Sequence, residues 1–212
     1  MARARGTKAA SRYGIHPGVL MMQTWVAELR EKTGRSVDEW VALTKAEGPK
    51  GEKERREWLK AKHRLGTNSA WWLAERAEGK GDKDSSPKAY LAAAALYVED
   101  QYSGPRKALR PIFEALLDLG LGLGAEVKAC PCKTIVPLYR EHVFAQIKPA
   151  TTSRVDLGLA LAGHSGCVPK RLVDTGGLAK KDRITHRIEV RAVSEVDAEL
   201  ANWLKSAYRL DA

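Results

Sequence analysis

In Arg154-Val155-Asp156-Leu157 a guanidinium and a carboxylate stand two residues apart. That spacing puts both on one face of a β-strand. Arg187 holds the same kind of position in the alternating run from Arg183 to Val190. Lys133, Arg140 and Lys148 lie on or beside the same strands. If the polar faces coincide, several cations converge on one surface. Such a surface holds a phosphate, a carboxylate ligand or a nucleic-acid backbone through charge-assisted hydrogen bonds. A solvated sheet face, with Arg154 and Asp156 as an ion pair, accounts for the same residues. His186 alternates with Ile184, Ile188 and Val190, so it belongs on the apolar side, as a core imidazole or a ligand contact. The first candidate set is Lys133, Arg140, Arg154, Asp156, His186 and Arg187.

A second set surrounds Leu65-Gly66-Thr67-Asn68-Ser69-Ala70. A glycine turn entering a helix exposes backbone N–H groups at the positive end of the helix dipole, a geometry that accepts phosphate. Lys60, Lys62, His63 and Arg64 stand just before it. The candidate phosphate contacts are Lys62, Arg64, Gly66, Thr67 and Asn68. An ordinary helix corner with a good cap is the alternative.

Other chemistry finds less support. Cys130-Pro131-Cys132 has C-x-C spacing without a second ligand pair, so no metal is expected. Cys167 with His164 or His186 lacks a local signature for nucleophilic catalysis. Gly120-Leu121-Gly122-Leu123-Gly124 follows no strand and opens no clear helix. It is therefore no dinucleotide fingerprint, and no cofactor is expected. Whether the protein is an enzyme stays open.

The elements that must position these groups fall into two halves. Apolar residues recur at helical spacing from Pro17 to about Lys32, and Gly34 ends that helix. Ser36 and Glu39 form a capping box for a second helix, stopped by Gly48-Pro49. A charged helix starts near Glu52 and breaks at Gly66. Thr67-Asn68-Ser69 then caps a helix over Ala70–Ala77. Trp71 and Trp72 cannot both face one core, so one of them is expected to be partly exposed. Gly79 to Pro87 is polar, glycine-rich and without periodicity, a linker. Helices follow over Ala89–Gln101 and from Gly104-Pro105 onward. Strands are read in Lys133–Leu161, with Val155, Leu157, Leu159 and Leu161 on one face and Arg154, Asp156, Gly158 and Ala160 on the other. In Val143–Lys148 the split is Val143, Ala145 and Ile147 against Phe144, Gln146 and Lys148. Residues 163–177 read as a polar connection, and Ser194 caps a last helix. The fold class is α+β: an N-terminal helical module, then a C-terminal domain with a small antiparallel sheet flanked by helices. The division is 1–14 as a disordered basic arm, 15–78 as the helical module, 79–88 as the linker and 89–212 as the α+β domain.

The net charge of +10 leans to the N-terminal side. Residues 1–90 hold 19 Lys/Arg against 12 Asp/Glu. A basic balance favours polyanionic partners, nucleic acid first. Arg3, Arg5, Lys8 and Arg12 of the arm are within reach of a phosphate backbone. No apolar run is long enough for a membrane span, and no membrane partner is expected. Three cysteines argue against a disulfide framework, and no signal peptide is read at the N-terminus, so a cytoplasmic protein is expected.

The stretches KTGRSVDEWVALTKAEG and EWLKAKHRLGTNSAWWLA, then QYSGPRKALRPIFEALLDL, CKTIVPLYREHVFAQIKPATTSRVDLGLALAG, THRIEV and SEVDAELANWLKSAY, carry a likeness. Together they resemble a group of uncharacterised bacterial proteins with two fused modules. The C-terminal module is distantly similar to the YdhG-like and MmcQ/YjbR-like groups. The resemblance implies a sheet flanked by helices and a two-module order, and no reaction. In that group the turn at Thr67, Asn68 and Ser69 tends to carry histidines, a departure here.

Two functions are therefore expected. The first is nucleic-acid association through the arm, the helical module and the basic sheet face. The alternative is a small anionic ligand, bound or transformed in a cationic pocket of the α+β domain.

Overall fold

The computed structural model describes residues 12–81, 86–166 and 169–211. The order is α1 (Pro17–Thr33), α2 (Val37–Glu47), α3 (Glu52–His63), α4 (Thr67–Ala77), α5 (Pro87–Gln101), α6 (Arg110–Leu121), β1 (Lys128–Ala129), β2 (Val136–Tyr139), β3 (Val143–Pro149), β4 (Val155–Leu159), β5 (Leu172–Asp174), β6 (His186–Val190) and α7 (Ala198–Leu210). The chain is α+β, with an antiparallel sheet in its C-terminal part. It divides into two compact units. One is Ile15–Ala93; the other takes the described residues from 94 onward together with 12–14. Helix α5 opens in the first and closes in the second.

In the helical unit the breaks follow from local chemistry. Gly34 ends α1 at φ +76°, and its N–H bonds the Arg30 carbonyl. Ser36 and Glu39 make the full capping box at α2. Leu29, Trp40, Leu59, Trp72 and Leu73 form the core. The Trp40 indole N–H donates to the Thr33 hydroxyl at 2.8 Å, which ties α2 to the end of α1. Helix α4 starts earlier than its sequence suggests. Gly66 is the N-cap, and Thr67, Asn68 and Ser69 are the first turn rather than the cap. Trp72 is buried and Trp71 is 40% exposed.

In the α+β unit the strand order is β1-β2-β3-β4-β6-β5, with antiparallel neighbours. Leu138, Ala145, Ile147, Leu157, Ile188 and Val190 build one core with Phe113, Leu116 and Leu117 of α6 and Leu200 and Leu204 of α7. Strand β5 lies within the expected polar connection, because Leu172 is a buried residue that closes the core. The helix expected from Gly104-Pro105 is a 3-10 turn over Gly104–Leu109 followed by α6. Asp197, not Ser194, caps α7, with its carboxylate accepting from the Leu200 N–H at 2.9 Å. Arg171 bonds Asp197 and Glu199 and so anchors that helix start. Phe144, placed by alternation on the polar face, is fully buried and meets the Tyr208 ring edge-on.

Candidate nucleic-acid interface

Two helix C-termini build the site. The first is Lys32-Thr33-Gly34-Arg35 at the end of α1; the second is Lys62-His63-Arg64-Leu65 at the end of α3. Cations are favoured at both ends because the helix dipole is negative there. The dipole does not require the two ends to meet. Here they do, around a cavity of about 730 Å³ lined by Lys32, Arg35, Trp40, Lys62, His63 and Arg64.

Aromatic rings set the positions of the charges. The Arg35 guanidinium lies 5.2 Å from the Trp40 ring centroid. The His63 ring stands edge-on between Trp40, at 5.1 Å, and Trp58, at 4.5 Å. The Lys62 ammonium lies 5.2 Å over Trp58. The order is cation, indole, imidazole, indole, cation. The edge-on ring contacts are the favoured aromatic geometry, and the cations sit on ring faces.

Carboxylates compensate only part of this charge. Lys32 pairs with Glu28 within α1, and Lys62 with Glu47 at 3.2 Å. All four groups are exposed, so each pair is weak and open to exchange. Arg35 and Arg64 have no carboxylate partner among the described residues. His63 Nε2 is buried and makes no hydrogen bond. Burial holds the His63 pKa below its ordinary value; Lys62 and Arg35 push the same way and Glu47 opposes them. The imidazole is therefore neutral near pH 7. Next along the chain, α4 begins at Gly66 without a side-chain cap. Gly66, Thr67 and Asn68 are exposed there.

Arg64 itself adopts φ +55°, ψ +29°, the left-handed conformation in which glycine is ordinary. Its N–H closes α3 on the Lys60 carbonyl at 3.0 Å.

The sheet face behaves differently. Asp156 of β4 stands directly opposite Glu189 of β6. Two facing carboxylates repel unless a cation joins them. Arg154 does so, with Nε 2.8 Å from Asp156 and Nη1 2.8 Å from Glu189. Arg187 adds longer contacts, 3.6 Å to Asp156 and 3.4 Å to Glu189. Arg191 reaches Glu189 at 3.2 Å. Asp156, expected on a wet face, is 9% exposed under these arginines. Lys148 lies opposite Asp156 on β3 and is exposed. A Cβ on Gly158 would collide with Gln146 and Ile184 at 2.8 Å, so a glycine here lets both side chains fold over the strand.

The other expected members stand elsewhere. Lys133 is exposed in the β1–β2 connection. Arg140 packs on the Tyr208 ring at 4.5 Å and pairs with Glu126. His186 is half-buried, with Nδ1 2.9 Å from the Thr185 hydroxyl. It does not share a face with Ile184, whose side chain lies over Gly158 on the polar side. The alternation fails because β6 begins only at His186. Burial pushes the Cys130 thiol up to about 12, so it is no nucleophile at neutral pH. Cys167 falls outside the described residues. So do residues 1–11 of the arm. Arg12, however, is held by Glu114 at 2.6 Å and also contacts Asp118. A smaller cavity of about 190 Å³ is walled by Ala160, Ala162, Ala207 and Leu210, with Arg183 at its rim engaged by Asp211.

Sequence reasoning found the α3 end of the basic cavity and missed Arg35 and Trp40. The signal was available: both α1 and α3 end in a basic stretch that runs into a glycine turn.

A family model described as a domain of unknown function, DUF5655, matches residues 98–211. The chain belongs to the DUF5655 family. A second model, the domain of unknown function DUF4287, matches residues 21–78 and so covers the basic cavity. This DUF5655 member therefore has two modules, and its cationic cavity lies in the one preceding the family domain. No curated protein and no solved structure matches the chain. Among the described residues no helix is long and apolar enough to cross a membrane.

Proposed function

We propose that this DUF5655 protein binds nucleic acid, with the basic cavity of its helical unit as the contact site. One observation carries the reading: Arg35 and Arg64, without carboxylate partners among the described residues, line one cavity with Trp40 and the His63 imidazole. Guanidinium groups bind phosphate oxygens in bidentate fashion, and the N-terminus of α4 at Gly66, without a side-chain cap, adds backbone N–H donors. The net charge of +10 supports long-range attraction of a polyanion. Cytoplasmic placement and the distant likeness to YdhG-like and MmcQ/YjbR-like proteins belong to the same proposal; neither names a reaction. Gel-shift titration of duplex and single-stranded oligonucleotides at two salt concentrations tests it. Binding is expected at low salt and is expected to weaken steeply at high salt, because phosphate contacts release counterions. Failure to bind either form at low salt removes the reading.

A small anion on the α+β unit is the second reading. Its support is the excess of cations over carboxylates where Lys148, Arg154, Arg187 and Arg191 face Asp156 and Glu189. Thermal shifts with nucleotides and phosphosugars test it, since a ligand of the native state raises apparent stability.

A further inference from the structure

The cavity between the ends of α1 and α3 is lined by cations from both ends. We propose that it takes the terminal phosphomonoester of a nucleic-acid strand in preference to an internal phosphodiester. This rests on the nucleic-acid reading above and narrows it to strand ends.

Three observations point the same way. The first is size. The cavity, about 730 Å³, is backed by Trp40 and His63, with cations brought to it from two helix ends. That is the volume of a small-molecule pocket, enough for one nucleotide.

The second is charge matching. Lys32 and Lys62 have carboxylate partners, whereas Arg35 and Arg64 have none among the described residues. Two guanidiniums outside any ion pair among the described residues match a monoester, which carries about −1.5 to −2 near pH 7. An internal diester carries a single negative charge and leaves one of them without a partner.

The third is the proton inventory. His63 Nε2 is buried without a hydrogen-bond partner. The groups facing the ring are Arg35, Lys62, Glu47, Trp40 and Trp58. None of them gives that nitrogen a hydrogen bond. A monoester titrates near pH 6 and so can share one proton with the imidazole, as donor or acceptor, when binding turns that buried nitrogen toward the cavity. A diester has no such proton to give.

Arg64 supplies the discriminating variant. Its left-handed conformation suits glycine, so Arg64→Gly removes the charge while keeping the turn. The experiment titrates the full chain, by fluorescence anisotropy, against one labelled single strand made with a 5′-phosphate, a 3′-phosphate or hydroxyls at both ends. A phosphorylated end is expected to bind about tenfold tighter than the hydroxyl strand, the gain typical of one or two added charge-assisted hydrogen bonds. Arg64→Gly and His63→Gln are expected to erase that difference, with folding checked by circular dichroism. Equal affinity for all three strands overturns the strand-end inference and leaves nucleic-acid binding standing. Absence of binding to any strand overturns both. A nucleoside monophosphate that binds as tightly as the phosphorylated strand assigns the cavity to a small phosphomonoester and overturns the strand end.

Discussion

Arg64 and His63 are adjacent, and each departs from what a helix end needs. A non-glycine residue in the left-handed region costs about 1 kcal/mol. Arg64→Gly is therefore expected to raise folding stability by about 0.5–1 kcal/mol in denaturant titration while weakening nucleic-acid binding. A purely structural Arg64 would give the stability gain and no loss of affinity. His63 leads to a pH prediction. Its folded pKa lies below the unfolded value of 6.5, chiefly through burial. The unfolded chain then binds the proton more readily, so stability falls as pH drops through about 6.5 and below. His63→Gln is expected to flatten that loss between about pH 7 and 5. Parallel stability–pH curves for wild type and variant would show that the ring is not desolvated. Neither residue was assigned its full part by sequence. The turn at Gly66 marked the place, but the tryptophans beside His63 come from α2 and from mid-α3, and only folding brings them together.

At the scale of elements, α2 and the β4–β6 pair carry separable tests. Ser36→Ala breaks one half of the α2 capping box and is expected to cost about 1 kcal/mol. The β4–β6 network is the stronger case. Glu189→Gln leaves Arg154 half-compensated at a side-chain exposure of 19%. Removing one partner of a mostly buried pair is expected to cost about 1–3 kcal/mol. Oligonucleotide affinity is expected to stay unchanged, since the network stands apart from the basic cavity in sequence and in unit. A loss of affinity without a loss of stability would instead favour the second reading. The strands β3 and β4 were legible because Ala145, Ile147, Val155, Leu157 and Leu159 alternate against one core. Strands β1 and β5 were not, because two or three residues hold no readable period. The convergence of Arg154, Asp156 and Arg187 was legible for the same reason as β4. Glu189 was the missing term, and it joins Asp156 in pairing with the arginines of that face.

For the whole molecule, the two matched family models end and begin on either side of residues 79–97. Lys80 and Lys83 lie in the polar, glycine-rich part of that interval. Limited trypsin digestion is expected to cut there first and release a C-terminal fragment of about 130 residues. First cleavage within β2–β4 would contradict the division. The net charge of +10 makes some attraction to any polyanion inevitable, so affinity alone does not separate a site from a diffuse field. The salt dependence of the cavity variants does. Each phosphate contact on a single strand contributes about −0.7 to the slope of log K against log salt. The most direct measurement compares that slope for wild type and the Arg35→Gln/Arg64→Gly double variant on one phosphorylated single strand. Two lost contacts predict a slope shallower by about 1.4 with weaker binding throughout. Superimposed lines for the two proteins, or no binding by wild type at low salt, would contradict the assignment of nucleic acid to this cavity.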